Sequence, residues 1–141
     1  MKKFSLLWLL IFLVACQNAP LNQEDKGTVD GTFKAGSYKM LGDKGRIGFI
    51  ESTFYAGEDQ KYMWHFWGES SELDGSLLVK ATHEKTGQEK KVLQVDALSG
   101  PNNTADAHIP SLMSLPESGI WLLDAYIGGD YFGTVTVKVY E

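Results

Sequence analysis

The sequence predicts an all-β protein, a β-sandwich of about seven short strands spanning residues 36–141. Three observations carry this. From Gly36 onward no stretch shows helical periodicity. Instead, short runs alternate between apolar and polar residues with a period of two, the signature of a strand with one buried face. Turn residues break these runs at intervals that suit a sandwich, and nothing repeats at the fixed period of a solenoid.

The elements follow in order. "SYKML" (37–41) reads as an edge strand, and "RIGFIESTFY" (46–55) as a single longer one. "QKYMWHFWG" (60–68) alternates aromatic residues on both faces. "GSLLVKATH" (75–83) and "EKKVLQVDAL" (89–98) are separated by Lys85-Thr86-Gly87, a turn signal. "GIWLLDAYI" (119–127) and "YFGTVTVKVY" (131–140) flank Gly128-Gly129-Asp130, where glycine tolerates positive φ, so the pair predicts a hairpin. The segment 99–119 is the least regular, with room for a short strand or turn near His108 to Leu115.

The amino terminus gives an address. Lys2 and Lys3 precede a twelve-residue apolar run, Phe4 to Ala15, interrupted only by Ser5. Such a run matches a secretory leader and is short of the roughly 20 residues a spanning helix needs. It ends at Cys16, the only cysteine in the chain. Leu13-Val14-Ala15-Cys16 resembles the lipobox of bacterial lipoproteins. The resemblance implies a diacylglyceryl thioether on Cys16, cleavage before it, and a protein held to the cell membrane on its extracytoplasmic side. Residues 1–15 are then the signal peptide and 16–35, polar and glycine-containing, a flexible tether. Removing 15 of 141 residues leaves 126, enough for one domain. Without Lys2 and Lys3, 11 basic residues face 18 acidic ones, so the net charge moves from −5 to −7. That balance argues against nucleic acid and against electrostatic adhesion to an anionic bilayer.

Residues 116–125, "PESGIWLLDA", resemble the F-strand region of immunoglobulin-like domains. On that resemblance Trp121 stands where the corner tyrosine would be and Leu123 where the second sandwich cysteine would be. Trp64 or Trp67 would be the strand-C tryptophan. Both cysteines are missing, so the resemblance implies an immunoglobulin-like sandwich rather than an antibody-type domain. "MWHFWG" (63–68) and "SGIWLLDAYIGGDYFGTVTVKV" (118–139) also resemble small lipoproteins of unknown function from Bacillus-type bacteria.

If the 60–68, 119–127 and 131–140 strands are neighbours, as C, F and G are in such folds, their outer face is unusually apolar. It would present Met63, His65, Trp67, Leu122 and Tyr126. A contiguous apolar face marks either a contact site or a covered surface. The tether or the 99–118 segment would be the cover.

No residue set points to catalysis. His65, His83 and His108 lie on separate runs without metal-motif spacing, and no nucleophile elbow, P-loop or zincin motif is present. Glu69, Glu72 and Asp74 cluster in one loop, a pattern that more often solvates a turn than moves protons. Asn102-Asn103-Thr104 fits a glycosylation sequon by chance. The sequence therefore predicts no cofactor, no metal and no enzyme activity. It predicts a binding or interaction module with an envelope protein or ligand as partner. The alternatives are a structural or envelope-stress lipoprotein, or a cell-wall hydrolase.

Overall fold

A computed structural model describes residues 29–141. The leader, Cys16 and most of the expected tether lie outside the described residues. Among the described residues there are ten strands and no helix. They are β1 (Thr32–Ala35), β2 (Tyr38–Asp43), β3 (Ile47–Ile50), β4 (Phe54–Tyr55), β5 (Gln60–Phe66), β6 (Leu77–His83), β7 (Glu89–Val95), β8 (Ala107–Met113), β9 (Gly119–Ile127) and β10 (Asp130–Tyr140). They form two five-stranded sheets, β1-β2-β3-β5-β8 and β4-β10-β9-β6-β7. Neighbours pair antiparallel except β4 and β10, which run parallel.

The period of two sets the core. Ile47 and Phe49 of β3, with Tyr62, Trp64 and Phe66 of β5, face inward from the first sheet. Leu77, Val79 and Ala81 of β6, Trp121, Leu123 and Ala125 of β9, and Val135, Val137 and Val139 of β10 face them from the second. All are essentially removed from water. Burial of this kind is the main favourable term available to a domain without a disulfide. Phe49 packs edge-on against Phe54, Tyr62 and Trp64 at 5.0–5.6 Å, and Phe54 stacks on Tyr62 at 4.3 Å. These separations favour aromatic pairing. Burial, with a lesser contribution from Glu58, pushes the Tyr62 phenol up to about 12.

Several sequence expectations change. The strands number ten rather than about seven. The run 46–55 is two strands in different sheets. Unbroken alternation after Ile47 and Phe49 would turn Glu51 and Thr53 into the core. The chain instead leaves the first sheet at Glu51, which is exposed and paired with Lys39 at 3.1 Å. Phe54 then enters the core from the second sheet. The tether expected to reach Ala35 ends sooner, because Thr32–Ala35 pairs along β2. Just before it, the Asp30 amide donates to the Thr136 carbonyl, and the Thr136 amide donates to the Asp30 carboxylate at 2.8 Å. The irregular segment contains a full strand, β8, at the edge of the first sheet, with Pro110 where an edge tolerates it.

The corner expected at Trp121 is present with different chemistry. The Trp121 indole N–H donates to the Glu117 carbonyl, four residues upstream, at 2.8 Å. This is the backward bond a corner tyrosine makes with its hydroxyl.

Candidate binding cleft and a covered sheet face

The predicted face Met63, His65, Trp67, Leu122 and Tyr126 does not assemble. β5 pairs with β3 and β8, whereas β9 pairs with β10 and β6 in the opposite sheet. Met63, His65 and Trp67 therefore belong to the outer side of the first sheet, and Leu122 and Tyr126 to the outer side of the second. Alternation showed which side of each strand is inward, but adjacency between strands is a tertiary property. The immunoglobulin-style C–F–G neighbourhood is absent.

In the first-sheet half of the predicted face His65 is covered by the 99–118 segment, while Met63 and Trp67 remain half-buried. His65 is fully buried although it points away from the main core. Its Nδ1 lies 3.0 Å from the Met63 carbonyl and its Nε2 lies 3.2 Å from the Asn103 amide. The Trp67 indole donates to the Thr104 carbonyl at 3.1 Å. Asn102 and Ala105 exchange backbone hydrogen bonds that fold residues 102–105 into a tight turn. On the other flank the Phe33 ring sits edge-on to Trp67 at 5.7 Å. It can do so because residue 48 is glycine; a Cβ there would lie 3.1 Å from the ring and 2.8 Å from the Leu41 carbonyl. Met40 and Ala105 complete this second buried cluster.

The open site is a cleft of about 380 Å³ between the 68–75 loop and the β9–β10 turn. Its floor is Arg46. The guanidinium lies 3.6 Å over the Phe132 ring, Nε donates to the Phe132 carbonyl at 3.0 Å, and the two terminal nitrogens donate to Glu72 at 3.3 and 3.0 Å. A planar fork matches a carboxylate in this way, and a lysine would not. Phe132 is placed by a bulge in β10, where the register with β9 slips between Tyr131 and Gly133. The bulge turns Phe132 inward against Phe66 at 5.6 Å. Gly133 keeps β10 close, since a Cβ there would meet Ile47 at 2.9 Å.

Glu72 also accepts the Glu69 amide at 3.0 Å. The Arg46 bonds, then that amide, hold the Glu72 carboxyl below the usual range. The loop is pressed onto the turn at Gly75, whose φ is +118° and where a Cβ would lie 2.8 Å from the Gly128 Cα. Asp74, Asp130 and Tyr131 line the cleft. Tyr131 is 59% exposed. Its hydroxyl is 2.6 Å from Thr134 Oγ1, which donates to Asp124 at 2.6 Å. Tyr126, one of the residues predicted from sequence, packs edge-on against Tyr131 at 5.8 Å and so supports the rim.

The sequence showed the acidic loop and the Gly128-Gly129-Asp130 turn as separate features; their meeting across Gly75 and Gly128 had no local signal, and neither did Arg46. The histidines do not converge. His65 and His108 face each other at 6.4 Å between ring centres. His83 is on β6, where its Nε2 meets the Ser118 carbonyl and its ring packs against Trp121.

Fold and cleft together define a class: a two-sheet β-sandwich domain with a polar cleft between the 68–75 loop and the β9–β10 turn. Within that class, a family model described as "Domain of unknown function (DUF4871)" matches residues 23–137, and the chain belongs to that family. A comparison with curated proteins finds no match. Among solved structures, the chain is similar to a candidate lipoprotein from Bacillus anthracis. The two share 20% identity over 79% of this chain and 85% of the other, with a TM-score of 0.64. These findings agree with the resemblance to Bacillus-type lipoproteins of unknown function, and at that identity the likeness shows the fold.

Proposed function

We propose that the protein is a lipid-anchored extracytoplasmic binding module that takes a small polar ligand into the Arg46–Tyr131 cleft. The anchor rests on the lipobox ending at Cys16 and on the character of the structural neighbour. Two acyl chains on that thiol give stable attachment, where one gives only marginal binding. The fourteen Cα–Cα steps from Cys16 to Asp30 reach at most about 50 Å, so the cleft works within that distance of the anchor.

One observation carries the binding role: the protein's own contacts fix Arg46 in the cleft. Arg46 is fixed by a ring, a carbonyl and a carboxylate, and preorganisation of this kind lowers the cost of association. Arg46 neutralises Glu72, leaving Asp74 and Asp130 to accept hydrogen bonds beside an exposed Tyr131 ring. That combination suits a hydroxyl-rich or ammonium-bearing ligand. It does not suit acid catalysis at Glu72, because Arg46 keeps that carboxylate ionised.

Titration of the full-length protein in detergent with wall saccharide fragments and simple amines, followed by NMR, tests this. Resonances of Asp74, Asp130 and Tyr131 shift, and Tyr131→Ala with Asp130→Asn abolishes the shift. Unchanged resonances with both ligand classes refute the cleft. Separately, Cys16→Ser removes lipid label and membrane association; label retained in that variant refutes the anchor.

A further inference from the structure

We infer that residues 101–105, anchored at both ends by the Ser99–His108 and Asp106–Phe66 backbone bonds, form a proton-operated cover: a proton on His65 Nε2 unlatches Asn103 and lifts the turn off the outer face of the first sheet. The latch is tuned to the neutral ring. The Met63 carbonyl can only accept, so Nδ1 carries the hydrogen there. Nε2 is then left to accept from the Asn103 amide. Protonation turns that acceptor into a donor facing another donor.

Rotating the Asn103 amide would offer its oxygen, but among the described residues none offers a negative charge. β3 presents Gly48 to the ring, directly opposite in the register. β8 presents His108, itself tied through Nδ1 to the Gly100 carbonyl at 2.6 Å. β1 contributes Phe33 to the same cluster, and β5 contributes Met63 and Trp67. Asp106, at the end of the turn, directs its carboxylate to the Gly68 amide at 2.9 Å. A charged His65 would thus be buried, unpaired and next to a group of the same sign. Burial lowers its proton affinity most; the Met63 carbonyl opposes this in part, and His108 adds a smaller lowering.

The cover is itself poised to leave. Asn103 and Thr104 have φ of +45° and +72°, successive left-handed conformations that a β-branched threonine adopts at a cost. Opening relieves them. It also frees the indole of the half-buried Trp67, which the closed turn now holds through the Thr104 carbonyl. The neutral-state latch consists of the Asn103–His65 contact and the Trp67–Thr104 bond, set on a self-bonded turn.

Hydrogen exchange on the full-length protein in detergent, corrected for the intrinsic pH dependence, tests the cover. Amides of 102–105 lose roughly tenfold or more of their protection between about pH 7.5 and about pH 5, while those of β9 keep theirs. The His65 Hε1 resonance titrates with the same midpoint, a measurement that needs no variant. His65→Gln flattens the dependence, Asn103→Asp moves its midpoint upward by supplying a counter-charge, and His108→Gln keeps the dependence while moving its midpoint slightly upward by removing a like charge. Flat protection in the wild type, an unchanged dependence in His65→Gln, loss of it in His108→Gln, or parallel loss in β9 each overturns the cover.

Discussion

Two tryptophans at comparable depth offer a controlled comparison. Trp64 and Trp121 are both fully buried and face each other's sheets across the core. The Trp121 N–H donates to Glu117 at 2.8 Å. The Trp64 N–H is buried with no acceptor among the described residues. Replacing either by phenylalanine removes roughly 40 Å² of apolar surface, about 1 kcal/mol of transfer energy, and leaves a cavity that costs about 1 kcal/mol more. There the two diverge. Trp121→Phe also forfeits a hydrogen bond of about 1 kcal/mol, for a total near 3 kcal/mol. Trp64→Phe removes an unsatisfied donor whose burial costs about 1–3 kcal/mol, so its net effect lies within about 1 kcal/mol of zero. Urea unfolding of both variants, read as a change in midpoint at constant slope, measures the gap of about 2–4 kcal/mol. Equal destabilisation by the two substitutions would refute the reasoning, because it would mean that Trp64 has no polar penalty to recover.

The remaining predictions concern backbone, protons and the cleft. Gly119→Ala costs about 3 kcal/mol or more. The φ of Gly119 is +121°, and the new Cβ would lie 2.6 Å from His83 Nε2, in a ring held by the Ser118 carbonyl at Nε2 and by the Lys85 and Thr86 amides, which donate to Nδ1. Denaturation midpoints check this, and a near-neutral result would refute the close contact. His65 binds its proton less readily folded than at its ordinary 6.5, so the unfolded chain takes up the proton first. Stability is therefore full above pH 6.5 and falls as pH drops toward the lowered native value, by about 1.4 kcal/mol per unit of difference. Subtracting the His65→Gln curve isolates this, and a rise toward acid would contradict it. In spectrophotometric titration one of the six tyrosines ionises late, near pH 12, and Tyr62→Phe removes that phase. Arg46→Lys loses the bidentate pair with Glu72 and speeds amide exchange in the 68–75 loop while leaving β9 unaffected.

Legibility in the sequence followed the reach of each signal. β9 was read with its bounds intact, because Trp121, Leu123, Ala125 and Ile127 alternate with half-exposed residues over nine positions and glycines punctuate both ends. β8 had no such signal: "AHIPSLM" mixes a proline and a histidine into a short edge strand. β1 read as tether because its contribution, Phe33 over Gly48, is visible only once β2 and β3 have brought the two together. The candidate face failed for a related reason. Period two separates inside from outside on each strand but does not say which strand lies next door, and so it joined residues from two opposite surfaces. Arg46 is one charge beside a glycine in a turn until the bulge at Phe132 gives it a ring to lie on.

The junction of Asp30 with Thr136 carries a consequence for how the domain is made. β10 is the last strand described, yet it supplies the edge on which the first described residues rest, the only hydrogen-bonded neighbour of β4 among the described strands, and half of the longest pairing in its sheet. A chain released from its amino end can form β1 and β2 early but cannot seat Asp30 until β10 is available. Closure of the sandwich therefore waits on β10, and a chain that has not yet placed it stays open and exposes its unpaired apolar faces.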